Sequence, residues 1–84
     1  MVNNEILKKK IIYRSTHRGS KEMDLLLGNF VKKYINSFNH DELKDLVKII
    51  YMEDETIYRW YFEKKENKLI AKNKVSKKLK LFKL

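Results

Sequence analysis

No proline and only two glycines, Gly19 and Gly28, interrupt the 84 residues of this chain. These two residue types are the strongest local breakers of regular backbone, and sheet proteins rely on them at their turns. A chain nearly free of them, in which asparagine and charged residues separate apolar clusters, is predicted to form helices joined by short turns, with no sheet. Met23, Leu26, Leu27, Phe30 and Tyr34 carry the clearest period: spacings of 3, 1, 3 and 4 place them on one side of a helix. Gly28 sits inside that helix at a cost of about 1 kcal/mol relative to alanine, for which a close contact with another helix is one reason and an incidental glycine the other.

A preceding helix is expected over about Asn4 to Ser15, with Leu7 and Ile11 one turn apart, Ile12 beside them and Lys8, Lys9 and Lys10 facing outward. FNHDEL starts a third helix: Asn39 can accept from backbone N–H groups, Glu42 can reach back three residues, and Phe38 can pack on Leu43. Leu43, Leu46, Val47 and Ile50 continue its inner face, and a break follows near Met52. Asp54 or a neighbouring acid is expected to cap a short fourth helix with Ile57, Trp60 and Tyr61 on one side and Lys64 and Lys65 near its negative end. After Asn67, the positions Ala71, Val75, Leu79 and Phe82 keep helical spacing amid lysines and predict a fifth, basic helix. The expectation is an all-α, small five-helix bundle, monomeric, forming a single helical domain over residues 1–84 with a basic C-terminal helix or tail over about 67–84. Eighty-four residues cannot divide their apolar side chains between two cores, and a 43% hydrophobic content supports one packed core.

The formal net charge of +9 is unevenly placed: residues 64–84 hold nine of the 20 basic residues and one of the 11 acids, so +8 of it belongs to the tail. That distribution supports a rival function, a small basic nucleic-acid-binding protein using the Lys-rich C-terminal helix, although a charge run is most often a solvated helix face and nucleic acid is the disfavoured partner. Tyr58, Trp60, Tyr61 and Phe62 could stack bases, but aromatics at helical spacing beside Ile57 belong more often to a core or a protein interface.

Several chemistries are disfavoured. There is no cysteine, hence no disulfide, thiolate metal site or cysteine nucleophile. His17 and His40 form no paired-histidine spacing, and Asp41, Glu42 and Asp45 read as a solvated helix face, so no metal is expected. Two glycines cannot write a phosphate-binding loop or a dinucleotide fingerprint, so no cofactor is expected to be bound stably. No serine or cysteine near His17 and Glu22 completes a nucleophile, base and orienter, so no catalytic residue is assigned. No apolar run suits a membrane span, and MVNNEILKKK lacks the regions of a secretory signal or a transit peptide. Richness in Asn, Lys and Ile, with no leader segment, predicts a bacterial cytoplasmic protein from an AT-rich source.

The stretch THRGSKEMDLLLGNF, Thr16 to Phe30, joins the first two helices. Gly19 is expected to take a positive φ there and Ser20 to cap the second helix, while dipole compensation alone could account for Arg18 and Glu22. An exposed Arg18, the missing side chain at Gly19 and Glu22 would together form a flat patch that another protein's backbone can approach closely. His17 reads as a turn or interface residue.

YRSTHRGSKEMDLLLGNF, Tyr13 to Phe30, resembles the defining segment of the small succinate dehydrogenase assembly and flavinylation factors. Their RGxxE pattern is met by Arg18, Gly19 and Glu22, and the resemblance extends to the upstream YRS, the downstream EMDLLLG with its Phe, the acidic break and Trp60, covering about residues 6–62. The later segment departs from the family pattern, lacking a proline after the tryptophan helix and being rich in lysine. The resemblance implies a five-helix domain that binds the flavoprotein subunit of succinate dehydrogenase, or in some bacteria of fumarate reductase, and promotes covalent attachment of FAD to a histidine of that subunit. FAD is then attached to the partner; the family's motif residues map to Arg18, Gly19 and Glu22, and with Arg14 and His17 beside them these are the expected partner-binding residues.

Overall fold

The computed structural model describes residues 4–84. Five helices follow in order, α1 (Asn4–Thr16), α2 (Lys21–Tyr34), α3 (His40–Ile50), α4 (Asp54–Tyr61) and α5 (Lys74–Leu81), with a 3-10 turn at Ile35–Ser37 that the periodicity did not signal. There is no strand among the described residues, so the all-α, five-helix expectation holds. Met1 to Asn3, the start of the stretch read above for a leader, lie outside them.

The two strongest helices begin where their side chains dictate. Ser20 accepts a hydrogen bond from the Met23 N–H at 3.3 Å and opens α2, which buries Met23, Leu26, Leu27, Phe30 and Val31. At α3, the Asn39 side chain accepts from the Glu42 N–H at 2.8 Å and Glu42 Oε1 accepts from the Asn39 N–H at 2.9 Å, a reciprocal cap. Leu43, Leu46, Ile49 and Ile50 then point inward, with Val47 half-buried. Ile11 is the one fully buried apolar residue of α1; Leu7 packs at the core's edge, whereas Ile12 is exposed. α1 lies against α2 where Gly28 faces Thr16 and Ser15: a Cβ there would stand 3.5 Å from Thr16 Cγ2 and 3.8 Å from the Ser15 carbonyl oxygen. The helices are therefore close at Gly28, yet an alanine would make ordinary contact.

Three local expectations are corrected. Neither glycine has a positive φ. The backbone angle at Gly19 is therefore not one that demands glycine, and Ser20 beside it is extended at φ −135° as the cap of α2. Asp54 does not cap α4; Glu53 holds the cap position without a side-chain bond, and the Asp54 carboxylate is engaged elsewhere. The fifth helix starts at Lys74, later than the spacing implied, and Ala71 is exposed outside it. Asn67 explains the delay: its side chain accepts from the Leu69 N–H at 2.8 Å and its carbonyl from the Ile70 N–H at 3.1 Å, a local turn that competes with helix. Asn73 and Ser76 then form a second reciprocal cap, both bonds 2.9 Å long.

Despite its lysines, α5 belongs to the core. Val75 and Leu79 are fully buried, and beyond the helix Phe82 sets its ring edge-on to Phe30 at 5.5 Å. The Tyr61 hydroxyl donates to the Phe82 carbonyl oxygen and ties the end of α4 to the end of α5.

Candidate functional site: the corner between α1 and α2

Arg18 occupies the turn between the first two helices, and its guanidinium points inward. Its side chain is only 5% exposed, which corrects the expectation of an exposed arginine. Nε donates to Asp54 Oδ1 at 2.7 Å and Nη2 to the Met52 carbonyl oxygen at 2.7 Å, while Nη1 donates to the Ile50 carbonyl oxygen. Carbonyls left unpaired where α3 ends thus find a cation, the charge that the negative end of a helix favours. Asp54, in the first turn of α4, stands at that helix's positive end and takes the other side of the fork. Its second oxygen, Oδ2, accepts from the Gly19 N–H at 2.8 Å, and Asp24 Oδ1 accepts from the Arg18 N–H at 2.6 Å. A Cβ on residue 19 would lie 3.2 Å from Asp54 Oδ2, a carboxylate already fixed by two donors. The missing side chain at Gly19 is therefore accounted for by close approach and not by backbone angle.

Around this fixed turn the other sequence-assigned residues are exposed. His17 stacks on Tyr13 with ring centroids 4.0 Å apart, and its Nδ1 donates to the Tyr13 carbonyl oxygen at 2.8 Å. Arg14 lays its guanidinium over the Tyr51 ring at 4.7 Å. Gly19 and Glu22 are open to solvent. Arg14, His17, Arg18, Gly19, Met52, Glu53 and Asp54 line a shallow depression, and Lys9, Lys10, Tyr13, Arg14 and Tyr51 line a second one beside it. The fold brings Arg14, His17, Arg18 and Gly19 to one rim, with Glu22 in the first turn of α2. Two participants escaped the sequence reading. Asp54 reads in the sequence as one of the acids that could cap α4, the position Glu53 holds, and Tyr51 carries no periodic signal because it follows the last turn of α3.

No cluster of three metal-ligating side chains occurs among the described residues. Arg18 offers no free fork to a phosphate, since carbonyls and a carboxylate already hold it. Exposed Tyr and Arg side chains beside a bare glycine are instead the kind of groups that anchor protein interfaces. Fold and site define a small all-α module whose first interhelical turn is fixed from within and exposed at its rim.

Comparison with known proteins gives the family. Residues 9–83 match the model of the Sdh5 family, described as flavinator of succinate dehydrogenase, and the chain belongs to that family. The match runs through the lysine-rich segment, so the departure assigned to that segment above does not take it outside the family. The chain is 37% identical over 70 residues to succinate dehydrogenase assembly factor 2, mitochondrial, of Dictyostelium discoideum, covering 77% of this chain and 50% of that protein. It is 43% identical over 56 residues to the protein of that name from Scheffersomyces stipitis, covering 67% and 38%. With assembly factor 2-B of Drosophila willistoni it shares 36% over 78 residues, covering 90% and 50%. The chain thus spans half or less of the length of these relatives. No solved structure matches it significantly. The expectation of a bacterial cytoplasmic protein is overturned: the matched relatives are eukaryotic and named mitochondrial, which points to mitochondria, and the missing leader carries no weight in a chain that spans part of their length. No helix among the described residues is long and apolar enough to cross a membrane.

Proposed function

We propose that this chain is a chaperone-like assembly factor that binds the flavoprotein subunit of succinate dehydrogenase and promotes covalent attachment of FAD to it. The flavoprotein of fumarate reductase is a client of the same class. The observation that carries this reading is the corner itself: an arginine, a glycine and an aspartate lock the turn from within, and exposed Arg14, His17 and Glu22 surround it. Such a surface binds a protein without reacting with it. The factor is not itself an enzyme and holds no cofactor stably; bond formation belongs to the flavin and the client's histidine. It acts as a monomer by favouring the client conformation in which these two groups are aligned, which removes an orientational cost from the reaction. Family membership supports the choice of client.

The test is co-expression with candidate flavoprotein subunits, reading covalent flavin on denaturing gels. Wild-type chain is expected to raise the signal for succinate dehydrogenase, and Gly19→Arg to lower it with helix content retained. Equal flavin attachment by the variant would remove the corner from the reading.

A further inference from the structure

A second concavity lies at the far end of α4 from the corner and is roomier than the two depressions beside the turn. It is a cleft of about 670 Å³ between the end of α4, the segment 62–73 and α5. Trp60 and Ile70, 6% and 5% exposed, form its apolar floor, and Lys68, Lys72, Lys77 and Lys80 contribute to its walls. Glu66 is the one carboxylate of the lining; it stands 3.9 Å from Lys72 with both side chains 83% exposed, a contact that water weakens. Lys68, Lys77 and Lys80 have no carboxylate partner among the described residues, and Lys80 Nζ sits 5.1 Å from the centroid of the Trp60 ring. The cleft therefore pairs an apolar floor with an excess of unmatched positive charge.

That combination selects its occupant. Nucleic-acid bases need an open aromatic face on which to stack, and Trp60 offers little: it is nearly buried, with an ammonium group close to its ring. A chain segment rich in Asp and Glu and carrying one apolar side chain meets both features, since an apolar group needs no open ring face and can rest on Ile70, Ala71 and the uncovered edge of Trp60 while the carboxylates meet the lysines. The two sites also lie along one helix. Trp60 is six positions along the helix from Asp54, about 9 Å at helical rise, and a shallow groove past Glu55, Thr56 and Arg59 ends at Trp60 and Glu66 in the cleft lining. A large protein seated on the corner can reach the cleft along α4. We infer that this cleft takes an acidic segment of the client protein as a second anchor, an inference whose choice of client rests on the function proposed above.

Trp60 is the only tryptophan and serves as the reporter. The intact chain is titrated with a synthetic peptide of Asp and Glu around a central Phe, with its lysine-substituted counterpart, and with a single-stranded RNA oligomer. The acidic peptide alone should shift the emission saturably, and K68E/K77E/K80E should weaken its binding about tenfold or more with circular dichroism unchanged. No saturable shift, an undiminished one in the triple variant, or displacement of the peptide by RNA through the same lysines overturns the inference. With the purified flavoprotein subunit, the triple variant should bind more weakly and recover full covalent flavin as its concentration is raised, whereas Gly19→Arg should stay low at any concentration. Unchanged affinity for the subunit in the triple variant also overturns it. Peptide binding without any flavin attachment by wild-type chain refutes the proposed function and the client assignment, leaving the cleft's preference for acidic segments; flavin attachment without peptide binding refutes the cleft alone.

Discussion

Arg18 and Glu22 belong to the same short pattern yet do different work. Arg18 is spent on the protein's own acceptors, so its replacement should act first on stability. Arg18→Lys keeps the charge but loses the fork that spans Asp54 and two carbonyls. The expected cost is about 1–3 kcal/mol, below the range for breaking a fully buried pair because Asp54 is partly exposed, and a lowered thermal midpoint checks it. Glu22 is exposed in the first turn of α2. Glu22→Gln should move the midpoint little while reducing covalent flavin on the client, and a stability loss as large as that of Arg18→Lys would give Glu22 a structural role. The residue types of this site were legible in the sequence, but the direction in which Arg18 points was not. Its partner Asp54 lies 36 positions away, and no local spacing reveals a contact that only the packing of α3 and α4 creates.

Among the elements, α2 and α3 are the most readable because a cap and a buried stripe agree in each, although buried Val31 and Ile49 fall beside the stripes that spacing marks. α1 was harder: its exposed Ile6, Ile12 and Tyr13 blur the stripe that Leu7 and Ile11 begin. The start of α5 was misplaced because Ala71 fits the period while the side chains of Asn67 and Asn73 set the backbone. Two exchanges test how local preference and packing balance. Gly28 is helical with room for a methyl group, so Gly28→Ala should stabilise the chain by up to about 1 kcal/mol. Lys64 is the one non-glycine residue with positive φ among those described, at 58°. It stands just beyond α4, where the Lys65 N–H bonds back to the Arg59 carbonyl oxygen at 3.1 Å. Lys64→Gly should remove side-chain strain there and gain about 0.5–1 kcal/mol. Denaturant melts with unchanged slope would verify both, and a destabilised Gly28→Ala would mean that Thr16 cannot yield.

At the scale of the whole molecule, charge and packing divide the chain differently. Charge sets residues 64–84 apart, whereas the core draws on Ile70, Val75 and Leu79 as fully as on the helices before them. A reading of charge alone makes that segment an appendage, because lysines advertise the outer face of α5 and only three or four apolar residues mark the inner one. Leu79→Ala should therefore cost about 2–4 kcal/mol, as at other core leucines. Removing residues 74–84 should abolish the cooperative melt; a truncated chain that still unfolds in one sharp transition would show the last helix to be dispensable. The fork of Arg18 adds a consequence of its own. Its acceptors come from the close of α3 and the opening of α4, so the turn it holds acquires its shape only after those later helices have settled. A client that grips this turn would pass over newly made or half-assembled copies, and recognition would double as an inspection of whether its helper is finished.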